Sequence, residues 1–150
     1  MCIVCDRIRM IKEGKNPYFV KELETGYVVM GDHQHFKGYA LLLYKEHVRE
    51  LHELQPEIRN KFLEEMALTG EAVFRAFAPE KMNYELLGNG DVHMHWHLFP
   101  RRSGDTPKAG PVWKLPTEEM YADSNRPSAE ELEDMKKPVG QEQDRLSAHV

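Results

Sequence analysis

The sequence predicts an α+β domain: a mainly antiparallel sheet of about five strands, one long helix packed on it and a short C-terminal helix. Three observations lead there. Short apolar or alternating runs cluster in residues 18–44 and again in 82–99, with one long stretch of helical periodicity between them. Strand and helix signals do not alternate regularly, which argues against a parallel doubly wound sheet. The composition is globular, with 41% apolar residues, 30% charged residues and no run approaching the ~20 apolar residues of a membrane span.

Residues 18–23 and 25–30 read as two strands joined by a turn. Gly38 to Tyr44 is an apolar run short enough for a buried strand. Pro56 suits a first helical turn, and Ile58, Phe62, Met66, Val73 and Phe77 then mark one stripe at helical spacing, which reads as core. Gly70 weakens this helix slightly and Pro79 closes it. Residues 82–87 alternate more weakly, and Val92 to Phe99 forms the last strand, ended by Pro100. Composition then shifts to Gly, Ser, Thr and Pro over residues 103–116, an extended connection. Ser128-Ala-Glu-Glu131 is a capping-box pattern, with Leu132 and Met135 on one face. Pro138-Val-Gly140 is expected to end that short helix, leaving the last ten residues frayed. This divides the chain into a main domain, 1–102, and an extension, 103–150, packed on or near it.

At 150 residues the chain fits one domain with a real core. A net charge of −5 argues against wholesale binding of a nucleic-acid polymer. Arg101-Arg102 is too short to form a basic patch. No signal peptide is visible at Met1-Cys2-Ile3-Val4-Cys5, and the reading is cytoplasmic, with no membrane partner. In a reducing compartment the C-x-x-C pair Cys2 and Cys5 reads as a metal half-site or a redox pair. Redox pairs sit at a helix start after a strand, and no strand fits before Cys2, so metal is favoured.

The strongest chemical signal is His93-Met94-His95-Trp96-His97. On a strand, side chains alternate between faces, so the three imidazoles project to one side at roughly 7 Å intervals while Met94, Trp96 and Leu98 anchor the other. Imidazole titrates near neutral pH and can be a nucleophile, an acid or a metal ligand. One ring can attack phosphorus while a neighbour donates a proton or hydrogen bond to phosphate oxygen. The competing chemistry is a catalytic zinc bound by the triad itself, although a straight strand holds the third ring far from such a metal.

The run His93-Met-His95-Trp-His97-Leu98-Phe99 resembles the signature of the histidine triad family of nucleotide hydrolases and transferases, His-φ-His-φ-His-φ-φ with φ apolar. The resemblance extends over residues 1–102, through Asp32-His-Gln-His-Phe-Lys-Gly38 to His47 and through Met82 to Asn89. The segment Gly110 to Leu132 is similar to the tails of bacterial members called diadenosine tetraphosphate hydrolase-like. The resemblance implies a HIT-like fold and a small-molecule nucleotide substrate, cleaved at a phosphoanhydride or phosphoramidate. It implies that His95 attacks the α-phosphate and that His97 hydrogen-bonds the phosphate or leaving group, with His93 completing the catalytic triad. Asn89 matches a polar residue that touches phosphate, and Asp32 an acidic position that holds ribose hydroxyls. The Gly-Asp-Val loop before His93 is shorter than in several branches, and Asp91 in it would repel phosphate. By the same resemblance, His47 and His93 complete a structural Zn2+ site with Cys2 and Cys5, and the protein is a homodimer. His33, His35 and His52 read as surface or loop residues. A zinc-stabilised nucleotide-binding protein of low activity is a further alternative.

Overall fold

The computed structural model describes residues 1–149. The chain order is α1 (Ile3–Lys12), β1 (Phe19–Glu22), β2 (Gly26–Met30), β3 (Ala40–Tyr44), α2 (Pro56–Phe77), β4 (Lys81–Glu85), β5 (His95–Arg101), α3 (Thr117–Met120) and α4 (Ala129–Ser147), with short 3-10 turns between some of them. The five strands form one sheet in the order β1-β2-β3-β5-β4, and every neighbouring pair is antiparallel. This is the α+β architecture that the sequence predicts.

Strand alternation gives the sheet two apolar faces. Val28 and Met30 of β2, Ala40, Leu42 and Tyr44 of β3 and Leu98 of β5 face α2 and α4, where Phe62, Val73, Leu132, Met135 and Val139 complete the main core. The alternate residues Tyr27, Val29 and Leu43 face α1 and pack on Val4 and Ile8. A third cluster joins Phe36 and Phe99 to Val112, Leu115 and Met120, fastening the segment after β5 to the sheet.

The long helix spans Pro56–Phe77, as its stripe predicts, with Phe62 and Val73 buried. Ile58 departs from the expected stripe: it is 44% exposed and takes no part in the core. Gly70 does more than weaken the helix: a Cβ there would lie 2.3 Å from the Tyr84 ring, so the glycine lets β4 lie close against α2.

Two expectations are corrected, and one helix forms where the sequence reading placed no element. Helix α1 packs Val4, Ile8 and Ile11 on the sheet at helical spacing and starts at an N-terminal cap, where Cys2 Sγ accepts the Cys5 N–H at 3.2 Å. Strand β5 starts at His95, not Val92, and runs through Pro100 to Arg101. Pro100 is tolerated because β3 pairs with β5 only as far as Leu98, so beyond that residue β5 has a partner on one side alone. Helix α4 keeps its capping box at Ser128 but continues through Pro138 and Gly140 to Ser147. The stripe Leu132, Met135, Val139 and Gln143 is buried, and that packing outweighs one missing helical hydrogen bond. The expected fraying therefore does not begin at residue 141, and Val150 lies outside the described residues.

Candidate functional site

The α1 face of the sheet carries the chemistry. His95 lies opposite Leu43 and His97 opposite Leu41, so both rings emerge on that face while Trp96 and Leu98 turn to the main core. Helix α1 stands beside them, and the segment after β5 returns across the far end. Between these walls lies a cavity of about 400 Å³, lined by His95 and His97 together with Val4, Arg7, Asp32 and Tyr121. That volume suits a small organic ligand.

His93 does not continue the row. It precedes β5, is fully buried and does not line this cavity. Its Nε2–H donates to the Tyr44 carbonyl at 2.6 Å, which leaves the Nδ1 lone pair facing the cysteines. Burial, the first cause, lowers its pKa and keeps the ring neutral. Nδ1 lies 3.4 Å from Cys5 Sγ and 3.6 Å from Cys2 Sγ, and His47 Nδ1 lies 3.6 Å from Cys5 Sγ. One donor atom from each of these four residues falls within 4.8 Å of every other. A tetrahedral zinc with ordinary Zn–S and Zn–N bonds sets sulfur and nitrogen about 3.5 Å apart, so the cluster has the size and donor set for that ion. The Tyr44 carbonyl supplies the outer contact that usually orients a ligating imidazole. Burial, partly opposed by the Cys5 N–H and reinforced by the Cys5 thiol and the Asp91 carboxylate, pushes the Cys2 thiol up to about 11. A metal binding here displaces thiol protons.

Asp91, expected to oppose phosphate, instead turns toward α1. Its Oδ2 accepts from the Ile3 and Val4 N–H groups at 2.9 and 3.3 Å, and its Oδ1 accepts from the His93 N–H at 3.1 Å. Burial works to raise its pKa, but the N–H groups of His93, Val4 and Ile3 and the Cys2 thiol outweigh it and hold the carboxyl below its ordinary value. One carboxylate thus ties the start of α1 to the turn that carries His93.

His95 is nearly buried, and its Nδ1 lies 2.6 Å from the His93 carbonyl. A carbonyl only accepts, so Nδ1 bears the proton and Nε2 keeps its lone pair. The His97 ring sits edge-on to it, with centroids 4.8 Å apart. Burial, then the neighbouring His95, lowers the His97 pKa to about 4, so this ring is neutral at neutral pH. Its Nδ1 lies 2.7 Å from Tyr39 Oη.

Asp32 lines the cavity, and Arg7 of α1 holds both its oxygens, at 3.0 and 2.7 Å. Asn89 is not brought there: it is exposed on the loop after β4 and does not line the cavity. Of the histidines read as surface or loop groups, His33 lines the cavity edge-on to Tyr121, His35 binds the Asp105 carbonyl at 2.8 Å, and His52 is exposed. Sequence reasoning missed Arg7, Tyr39, Trp113 and Tyr121, all of which line the cavity. Only the aromatic character of the last two was a usable signal, because the pairing of Arg7 with Asp32 spans a fold contact that no local pattern encodes.

Comparisons with known proteins agree with this fold. The family model described as HIT domain matches residues 17–104. No curated protein matches the chain. Among solved structures, a histidine triad protein from Sinorhizobium meliloti 1021 superposes with a TM-score of 0.72 at 20% identity, covering 89% of this chain and 93% of that one. A hypothetical histidine triad nucleotide-binding protein from Sulfolobus tokodaii strain7 gives 0.72 at 18% identity, covering 97% and 96%. A zinc-bound histidine triad family protein from Mycobacterium smegmatis gives 0.68 at 18% identity, covering 99% and 97%.

Proposed function

The chain belongs to the HIT domain family, and from that premise we propose that it cleaves a nucleoside 5′-phosphoanhydride or phosphoramidate, dinucleoside polyphosphates included, through a nucleotidyl-His95 intermediate. The observation that carries this reading is the orientation of His95: its Nδ1–H is bound to the His93 carbonyl, so Nε2 is a free nucleophile beside the cavity. Attack by Nε2 on the α-phosphorus forms a P–N bond and breaks the bond to the leaving oxygen or nitrogen, which departs with its electron pair and takes up a proton. Water, or another acceptor in a transferase, then attacks the same phosphorus. The P–N bond breaks, and the nucleotide leaves with a free imidazole behind it. His97 stands where it can hydrogen-bond a phosphate oxygen as charge develops. Asp32 would accept from ribose hydroxyls while Arg7 offsets its charge near the phosphates. Asn89 would reach phosphate only if its loop moved inward.

Zinc fits Cys2, Cys5, His47 and His93 by donor type and spacing, and the M. smegmatis neighbour is zinc-bound. It would supply structural bracing: through His93 it would fix the carbonyl that orients His95. The alternative of a catalytic zinc held by the whole triad is disfavoured, because His93 faces away from His95 and His97 into the cysteine cluster. The free thiols suit a reducing compartment such as the cytoplasm. A homodimer is supported by the open edge of β4, next to the exposed rings of Tyr84 and Phe74.

The test is steady-state hydrolysis of diadenosine tetraphosphate and of an adenosine phosphoramidate by wild type and His95→Ala. The substitution is expected to lower kcat by about 10³-fold or more while the melting temperature and bound zinc stay unchanged. Retained turnover in His95→Ala would refute the covalent mechanism. Tight nucleotide binding without turnover in the wild type would favour a binding protein.

A further inference from the structure

Tyr39 immediately precedes β3, and its ring is fixed on several sides. A Cβ on Gly31 would lie 2.2 Å from that ring, so the absence of a side chain at Gly31 makes the place it occupies. The Gly31 N–H donates to the Tyr39 carbonyl at 2.9 Å, and the ring stacks on Phe99 with centroids 4.2 Å apart and planes 11° apart. The His97 ring lies nearly parallel to both, at 14° to Tyr39 and 3° to Phe99. Held this way, the phenol oxygen meets His97 Nδ1 at 2.7 Å, its one hydrogen-bond partner among the described residues.

Burial pushes the phenol pKa above its ordinary range, so Tyr39 keeps its proton wherever the protein is folded. A hydroxyl hydrogen in such a place needs an acceptor, and Nδ1 is the acceptor present. A neutral imidazole whose Nδ1 accepts carries its own hydrogen on Nε2.

We propose that Tyr39 is a positioning residue that locks His97 in the Nε2–H form, making it a hydrogen-bond donor to the substrate's phosphate or leaving group. The adjacent ring is set the opposite way, since His95 gives its Nδ1–H to a carbonyl and keeps an Nε2 lone pair. Two neighbouring histidines thus offer complementary faces: a lone pair to phosphorus and an N–H to oxygen. In the other tautomer His97 would aim a lone pair at an anionic oxygen, and the donor would be lost. The donor role rests on the nucleotidyl-transfer reading above; the tautomer does not.

The test uses the full chain with ¹⁵N-labelled histidine. Two-dimensional ¹⁵N–¹H correlation of the wild type is expected to give His97 a pyrrole-type Nε2 and a pyridine-type Nδ1, the reverse of the protonation at His95. Tyr39→Phe keeps the ring and its stacking and removes only the hydroxyl. It is expected to convert the His97 signals to a mixture of tautomers while the His93 and His95 signals hold. On diadenosine tetraphosphate it is expected to lower kcat roughly tenfold with KM little changed, the loss of one transition-state hydrogen bond. A wild-type His97 protonated on Nδ1 would overturn the proposal, and so would a Tyr39→Phe protein with unchanged His97 signals. A locked tautomer with no turnover in the wild type would refute the nucleotidyl-transfer reading and, with it, the donor role, leaving the Tyr39-set tautomer established.

Discussion

Replacing Asp91 by alanine should destabilise the protein well beyond an ordinary surface change. The carboxylate accepts three backbone N–H groups, two at the start of α1 and one from His93. Ile3 is 62% exposed, so its N–H returns to water at little cost. Val4 and His93 are buried, and their N–H groups lose a charged partner without gaining water. Loss of an N-terminal cap costs about 1 kcal/mol, and an orphaned buried donor roughly another 1–2. The sum, about 2–3 kcal/mol, corresponds to a fall in melting temperature of roughly 5–10 °C for a domain of this size. Differential scanning calorimetry of zinc-loaded protein measures it, with Asp6→Ala as control, since Asp6 makes only an exposed pair with Arg9. The same carboxylate has a pH signature. Its folded pKa lies below its unfolded value, so its contribution is present above about pH 4 and is lost as pH falls through the folded value. A melting temperature for Asp91→Ala within 1–2 °C of wild type, or no steeper than Asp6→Ala, would refute the claim that this residue anchors α1.

Further outcomes follow from the same geometry. Burial and His95 hold His97 near 4, below the ordinary imidazole value, so the unfolded chain takes up the proton first. Stability should therefore fall as pH drops from about 6.5 to about 4, by up to about 3 kcal/mol from this residue, and His97→Asn should flatten that limb in pH-dependent urea denaturation. Cys5→Ser should reduce zinc content measured by plasma emission spectrometry and lower the melting temperature, because Cys5 Sγ meets both His93 and His47. Equal zinc content in the variant would remove Cys5 from the metal site. Arg7→Ala should weaken nucleotide binding by about tenfold in calorimetry with the fold intact, since it leaves Asp32 as an unpaired negative charge at the cavity; unchanged affinity would place the nucleotide elsewhere. Glu65 is buried and accepts the Glu24 and Thr25 N–H groups at 3.0 and 2.8 Å, so Glu65→Ala should cost about 2–3 kcal/mol by chemical denaturation, and a loss under about 0.5 would contradict that role.

What the sequence made legible was what local periodicity encodes. Short apolar runs bounded by turns located β1, β2 and β3, alternation located β4 and β5, and the period of 3.6 located α2 from Pro56 to Phe77. The pair His95 and His97 was readable because β5 keeps both on one face. Tertiary contacts governed the rest. His93 leaves the row because its ring is claimed by Tyr44 and the cysteines, a set of contacts spanning the whole domain. Helix α1 is an exception: Val4, Ile8 and Ile11 recur at helical spacing over its ten residues, a legible stripe that the sequence reading left unused. Helix α4 outlasts Pro138 because α2 and β1 lie beneath it, which no local breaker rule can register. Asp91 illustrates the same limit: its charge was visible, but the N–H groups that offset it belong to Ile3 and Val4, 88 and 87 positions away, and to its near neighbour His93.

The most direct measurement is rapid acid-free quenching of the enzyme during turnover of a dinucleoside polyphosphate, followed by peptide mass spectrometry. A nucleoside monophosphate adduct on the peptide holding residues 93–97, localised to His95 and absent from His95→Ala, is the expected result. Turnover without any protein-bound nucleotide, or an adduct on another side chain, would contradict it.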